Sequence, residues 1–285
     1  MLKNFSVVIC TYSRKDFIKN CLEKILNNSV LPKKIIIVDQ NHDSVTELYA
    51  MQTFTKYLYK NYIIIKNIKK KGLTVSKNIA LNHVKEKYVF FIDDDISISR
   101  HFFVNILISM KSTGATGISG VISNQNKSFF NIIAHLFFNH GPFRDNRYYF
   151  NNYKKFQDKP SLKKISQVPG GITCFISSIF KYIKFDEKLI THNYEDVDFC
   201  IRLKKIFYTS KFYLNFKSEA KDELQKNKKE NLQKRICSMY LLYKKHKSTI
   251  YLSVFLLSFL GVFISNIRSI SKLSFNFFQK SDVKY

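Results

Sequence analysis

Apolar residues recur along this chain with two different periods, and the alternation between them predicts its architecture. Phe5 to Thr11 is a short β-branched run. From Arg14 to Asn28 the apolar positions Phe17, Ile18, Cys21, Leu22, Ile25 and Leu26 take helical spacing. Pro32 restarts the chain before Lys34-Ile35-Ile36-Ile37-Val38-Asp39, a continuous apolar run of the kind that parallel strands show when both faces are covered. Tyr62 to Lys66 predicts a third strand, Leu73 to Val84 a helix and Tyr88 to Ile92 a fourth strand. Strands alternating with helices imply a right-handed, mostly parallel α/β sheet. Ligands of such sheets sit beyond the carboxyl ends of the strands. Those ends here are Thr11 to Arg14, Asp39 to Asp43 and Asp93-Asp94-Asp95.

Beyond Ser97 the pattern loosens. It includes an apolar stretch at 129–138, an aromatic and basic segment at 143–156, and a turn at Pro169-Gly170-Gly171. Asp222 to Lys247 is strongly charged and predicts a helix with Leu224, Leu232, Ile236, Met239 and Leu242 inward. Residues 248–267 carry no charge, and roughly 20 apolar residues are needed to cross a bilayer. Basic residues flank both ends, so the positive-inside rule sets no orientation, and a span, an interfacial helix, a hairpin and a core helix all remain open. The expected organisation is a main domain over 1–220, with halves 1–97 and 98–220, followed by a basic helical tail over 221–285.

Composition adds a partner class. A 45% hydrophobic share rules out global disorder, and a formal net charge of +26 attracts anions: nucleic acid, acidic lipid or phosphorylated substrates. An AT-rich coding sequence would account for part of the Lys, Ile, Asn and Phe excess. The five cysteines are scattered, without CxxC pairs, and read as buried thiols in a reducing compartment. Met1 to Ser6 runs straight into a strand without a secretory leader pattern, so the N-terminal part is expected in the cytosol.

Three carboxylates at the mouth of a buried strand repel one another unless solvated or neutralised by cations. A divalent ion shared with a diphosphate would neutralise Asp93, Asp94 and Asp95, since Mg²⁺ and Mn²⁺ favour oxygen ligands. A solvated loop or a helix N-cap from Ser97 onward would also accommodate them. Glu195-Asp196-Val197-Asp198 opens a predicted helix, whose dipole favours ionised carboxylates. Such a carboxylate can accept a proton from a substrate hydroxyl. Ordinary capping with a salt bridge to Arg202 is the simpler alternative.

In order along the chain, these segments resemble the family 2 glycosyltransferases of the GT-A fold, from about Phe5 to Leu203. The segments are Phe5 to Arg14, Ile35 to Asp39, Gly72-Leu73-Thr74-Val75-Ser76-Lys77-Asn78, Asp93-Asp94-Asp95, Pro169-Gly170-Gly171, Phe185-Asp186-Glu187 and Glu195-Asp196. The resemblance implies a Rossmann-like GT-A domain that moves a sugar from a nucleotide-sugar donor to a glycan or lipid-linked acceptor with inversion. It places Thr11, Arg14, Asp39, Lys77, Asp93 and Asp94 at the donor, and Gly170, Gly171 and Glu195 on the acceptor side. Asp196 would be the base, and Asp95 with Asp93 would hold Mn²⁺ or Mg²⁺. Surface polysaccharide synthesis at the cytoplasmic face of a membrane is the implied setting.

Two departures stand out. Gln40, Asn41 and His42 follow Asp39 where the family has another acidic residue and a Gly-Ser pair. No His occurs between His192 and His246 to serve the metal or diphosphate, and Lys217 or Glu219 lies in the approximate region. A binding-only relative is therefore the main alternative. A nucleic-acid-binding protein is the other, but no RRM, zinc-finger or helix-turn-helix signature supports it and nucleic acid is not an expected partner. A dinucleotide oxidoreductase falls because Thr11-Tyr12-Ser13-Arg14 lacks a GxGxxG fingerprint.

Overall fold

The computed structural model describes residues 4–70, 72–124, 161–188, 195–224 and 240–247, together with Leu256 and Leu260. Strands β1 (Phe5–Thr11), β2 (Lys34–Asp39), β3 (Tyr62–Lys66) and β4 (Tyr88–Ile92) form where the apolar runs predict them. Helix α1 (Lys15–Leu26) follows β1, α2 (Val45–Lys56) joins β2 to β3, and α3 (Leu73–Leu81) joins β3 to β4. These strands pair in parallel in the order β3-β2-β1-β4. Their register sets Thr11 against Asp39 and Asp39 against Lys66, so three polar residues form a row at the carboxyl ends.

The same sheet continues through β5 (Ile96–Ile98), β6 (Gly117–Ile122), β7 (Leu162–Ile165), β8 (Ile172–Ile176) and β9 (Phe212–Asp222). Its full order is β3-β2-β1-β4-β8-β6-β9-β5, with β7 also on β9. Here the pairing is mixed: β8 runs antiparallel to β4 and β6, while β6 and β9 are parallel. Helix α4 (Phe102–Thr113) precedes β6 and ends at Gly114, whose φ of 61° is the left-handed cap that glycine accepts without strain. A 3-10 turn at Ser177–Lys181 follows β8, and helix α5 (Glu195–Ile206) precedes β9.

Strand alternation explains why β4 reads as unbroken apolar sequence. Phe90 points to a core shared with Phe5, Phe102 and Phe103, with ring centroids 4.9–6.4 Å away. Phe91 points to the opposite core, against Phe175, Phe180 and Phe185 at 5.4–6.3 Å. Both faces are covered, so neither alternate position can be polar.

The charged segment expected to be helical from Asp222 begins differently. Asp222 is the last residue of β9, paired with Ile96 of the edge strand β5. This pairing gives the short β5 a partner, and the same segment excludes a helix beginning at Ser97. Residues 240–246 are helical, and Leu242 is fully buried against Val197, with Ile201 and Tyr243 beside it. The expected inward positions Leu232, Ile236 and Met239, the segments 129–138 and 143–156, and most of 248–267 lie outside the described residues. Among the described residues, no helix is long and apolar enough to cross a membrane.

Candidate active site

Three clusters meet at the carboxyl ends of the strands. In the first, Asp39 is fully buried. Its Oδ1 accepts the Asn41 backbone N–H and side-chain Nδ2 at 2.9 and 2.8 Å, and its Oδ2 accepts Lys66 Nζ at 2.7 Å. Asn41 Oδ1 in turn accepts the Ser13 N–H at 2.8 Å, while its Nδ2 lies 3.1 Å from Thr46 Oγ1. Gln40 Oε1 accepts the Gly72 N–H at 2.6 Å. Gln40 and Asn41 thus fasten the first-strand turn, α2 and the start of α3 around Asp39.

The second cluster is the aspartate triplet. Arg14 Nη1 donates to Asp94 Oδ1 at 3.1 Å and to Asp95 Oδ2 at 2.5 Å. Asp94 and Asp95 are buried, whereas Asp93 is partly open. Burial pushes the Asp94 carboxyl up to about 7 against the pull of Arg14. Thr11 lowers it too, after Arg14. Thr11 Oγ1 and Asp94 Oδ2 both remain buried and unpaired.

The third cluster joins the two halves of the sheet. Lys77, only 2% exposed, donates to Glu195 Oε1 at 3.1 Å and to Gly170 O at 3.3 Å. Its ammonium also lies 5.6 and 5.1 Å from the Phe91 and Phe185 ring centroids. Burial opposes the Lys77 charge, but Glu195 and Asp93 outweigh it and hold its pKa above the ordinary value. Burial raises that of Glu195 despite Lys77. Asp196 Oδ2 accepts the Gly170 N–H at 3.1 Å, and its Oδ1 accepts the Val197 N–H at 2.8 Å.

The Gly170-Gly171 turn ties the second and third clusters together. Gly171 O accepts the Asp93 N–H at 2.9 Å, and a Cβ on Gly171 would overlap the Asp93 carboxylate. A Cβ on Gly170 would come within 2.8 Å of Glu195 Oε1 and 2.9 Å of Lys77 Nζ. Glycine is needed at both positions for close approach. All the residues expected at the site from the sequence therefore lie at one end of the sheet, although Lys77 is engaged as an ion-pair partner of the acidic helix.

Other residues here were missed. Lys66 ends β3 in register with Thr11 and Asp39, and the strand-end rule would have found it. At the end of β9, Glu223 donates its N–H to Asp95 O at 2.9 Å. Asp222 and Glu223, rather than Lys217 or Glu219, therefore stand beside the aspartates. His246 lies elsewhere, with Nε2 3.0 Å from Asp198 Oδ1 on α5. A groove of about 750 Å³ between α1, β5 and β9 is lined by Lys24, Arg100, Glu219, Lys221 and Glu223 but by none of the expected site residues. Burial raises the buried Cys21 and Cys174 thiols and pushes the half-buried Cys10 up to about 12, so they are poor nucleophiles.

Among the described residues, no group of three or more His, Cys, Asp or Glu could by itself hold a metal ion. One or two carboxylates completed by substrate phosphate are a usual seat for Mg²⁺, and the hard oxygens of Asp93 and Asp95 fit that arrangement.

Comparison with known proteins bears on the family and the fold. Residues 6–184 match the model of glycosyl transferase family 2. An uncharacterized glycosyltransferase of Methanocaldococcus jannaschii is 27% identical over 236 residues, covering 80% of this chain and 75% of its own. The minor teichoic acid biosynthesis protein GgaA of Bacillus subtilis is 31% identical over 103 residues, 34% of this chain but only 22% of that longer protein. In structure, S. aureus TarS in complex with UDP superposes with a TM-score of 0.60 at 14% identity, over 96% of this chain and 76% of that one. GalNAc-T7 with UDP, GalNAc and Mn²⁺ gives 0.58 at 11% identity, over 77% and 43%.

Proposed function

The chain belongs to glycosyl transferase family 2, and from that membership we propose that it transfers a sugar from a nucleotide-sugar donor to a glycan or lipid-linked acceptor, with inversion, in surface polysaccharide synthesis on the cytoplasmic side of a membrane. The fold is the GT-A arrangement that the relatives share. The observation that carries the reading is the Gly170-Gly171 turn, which brings Asp196 on α5 and Asp93 at the end of β4 to a common seat.

Asp196 is held by two backbone N–H donors, which fix its orientation. In this role it accepts the proton of the incoming hydroxyl as that oxygen attacks the anomeric carbon. The bond from that carbon to the diphosphate oxygen breaks on the opposite face, so the sugar inverts. Thr11, Asp39 and the Asn41 and Lys66 groups around it would line the base. Arg14, which bridges Asp94 and Asp95, supplies a cation beside the diphosphate. A divalent ion held by Asp95 with Asp93 would stabilise the departing nucleoside diphosphate. Lys77 positions Glu195 and the Gly170 carbonyl beside Asp196. The part played by GgaA in teichoic acid synthesis supports an anionic surface polymer as the product, and UDP in TarS supports a uridine donor.

The test is nucleotide-sugar hydrolysis by the purified chain, with UDP-, GDP- and dTDP-sugars in Mn²⁺, Mg²⁺ or EDTA. Metal-dependent release of one nucleoside diphosphate, lost in Asp95→Ala and Asp196→Ala, is the expected result. Release unchanged in both variants would refute the assignment of those two residues.

A further inference from the structure

The amino ends of the strands, opposite the candidate site, carry a different chemistry. A series of backbone hydrogen bonds marks this edge: Thr116 N–H to Lys211 O, Ile176 N–H to Thr116 O, Ser177 N–H to Lys87 O, Tyr88 N–H to Asn4 O, Lys33 N–H to Phe5 O and Ile35 N–H to Asn61 O. Lys211, Lys181, Lys87, Lys33, Lys34 and Lys60 lie along it or within five residues of it, and all but the half-buried Lys34 are exposed. Lysines in the last turns of α1, α2, α4 and α5 complement the helix dipoles and need no further explanation. Lys33, Lys60, Lys87 and Lys211 precede strands and Lys34 opens one, so that explanation does not reach them.

Little offsets this charge. Of the described carboxylates near this edge, Glu86 is buried beneath Ser6 and the Lys85 N–H with its Oε1 3.8 Å from Lys33 Nζ, so it offsets that one lysine, and Glu23 is ion-paired with Lys56. Asp39, Asp43, Asp93 to Asp95, Glu187, Glu195, Asp196, Asp222 and Glu223 gather instead toward the opposite end. Beside Lys181, Lys205 and Lys211 the edge also exposes apolar bulk. Tyr208 is 90%, Tyr182 70% and Ile206 51% exposed, with Tyr182 packed edge-on to Phe207 at 5.6 Å.

We propose that this edge docks the protein on an anionic lipid bilayer, with Tyr182, Ile206 and Tyr208 at headgroup level and the lysines against the surface charge. Tyrosine and lysine side by side suit a membrane interface. The six named cations are all lysines, point charges that serve a diffuse anionic plane, whereas arginine is favoured for bidentate phosphate and nucleic-acid contacts. Two copies of this face repel each other, so self-association does not cover it. The orientation deepens the membrane setting proposed above. It raises the sugar-transfer site one strand length, about 20 Å, off the lipid, a distance that suits the end of a growing chain better than a first sugar on its lipid.

The experiment is sedimentation of the full chain with phosphatidylcholine vesicles, with and without phosphatidylglycerol. Lys87→Glu/Lys181→Glu/Lys211→Glu is compared with Lys69→Glu/Lys70→Glu/Lys188→Glu, an equal charge change at the other end. At about fivefold in partitioning per lysine, the edge variant should lose at least about a hundredfold of its phosphatidylglycerol-dependent binding. It should keep wild-type nucleotide-sugar hydrolysis, which scores the reaction separately. The second variant should bind near wild-type level. Equal loss in both variants, or loss in neither, overturns the proposal. So does wild-type chain that ignores the vesicles but binds duplex DNA in a manner lost with the edge lysines.

Discussion

Asp198 offers the most direct test of how the C-terminal segment supports the site. Its side chain is fully buried on α5, two residues beyond Asp196, and three cationic or protonatable groups converge on it. Arg202 Nε donates to Oδ2 at 2.7 Å, Lys245 Nζ lies 2.6 Å from Oδ1 and His246 Nε2 lies 3.0 Å from the same oxygen. Burial alone would raise the carboxyl pKa, but His246, Lys245 and Arg202 together outweigh it and bring it down from 3.8 to about 2. A drop of about two units corresponds to roughly 2–3 kcal/mol favouring the ionised form in the folded chain. Because the folded value is the lower one, this stabilisation is fully present above the unfolded pKa near 4. It is lost as pH falls through about 2. Asp198→Asn should therefore lower unfolding stability at pH 7 by roughly 2–3 kcal/mol. Asp198→Ala should cost more, since it also removes the acceptor oxygens that Arg202, Lys245 and His246 share and leaves their buried ends without a hydrogen-bond partner. Urea unfolding at pH 7 gives the magnitude. Trypsin cleavage after Lys244 or Lys245 should also accelerate in the Asn variant, because the segment loses its anchor to α5. A variant within about 0.5 kcal/mol of wild type, with unchanged cleavage, would refute the clasp, since that is the range of surface substitutions away from such features.

Two further substitutions probe the seat itself. Gly171→Ala drives a methyl into the Asp93 carboxylate, so nucleotide release should fall at least about tenfold while the fold loses only about 1–3 kcal/mol, the usual cost of local overpacking; hydrolysis kinetics beside thermal unfolding would separate the two. Lys77→Ala leaves Glu195 buried and unpaired and should cost about 3–5 kcal/mol, whereas Lys77→Met/Glu195→Leu should recover much of it; a double-mutant cycle by chemical unfolding measures the difference, and a single-variant cost under about 1 kcal/mol would contradict a buried link.

The amino-terminal strands were legible because each is buried on both faces, so burial left a continuous apolar signature over Phe5–Thr11, Lys34–Asp39 and Tyr88–Ile92. Helix α2 was not legible, because its buried face is built from Thr46, Ala50, Thr53 and Phe54, and two threonines blur the periodicity. In α4 the difficulty is reversed: Phe102, Phe103, Ile106, Leu107 and Met110 are buried while Ile108 remains exposed, so no polar stripe marks the outer face. The site divides in the same way. The aspartate triplet, the double glycine and the acidic pair announce themselves through local composition. Lys66, Glu223 and His246 do not, because their meaning depends on register and on contacts between distant segments. Lys66 matters only once β3 is set beside β2, and Glu223 only once β9 reaches Asp95. Lys245 and His246 matter only once residues 240–247 fold back onto α5. That return places a basic segment against the helix carrying Asp196, so a substitution nearly fifty residues away in sequence should act on the seat of Asp196.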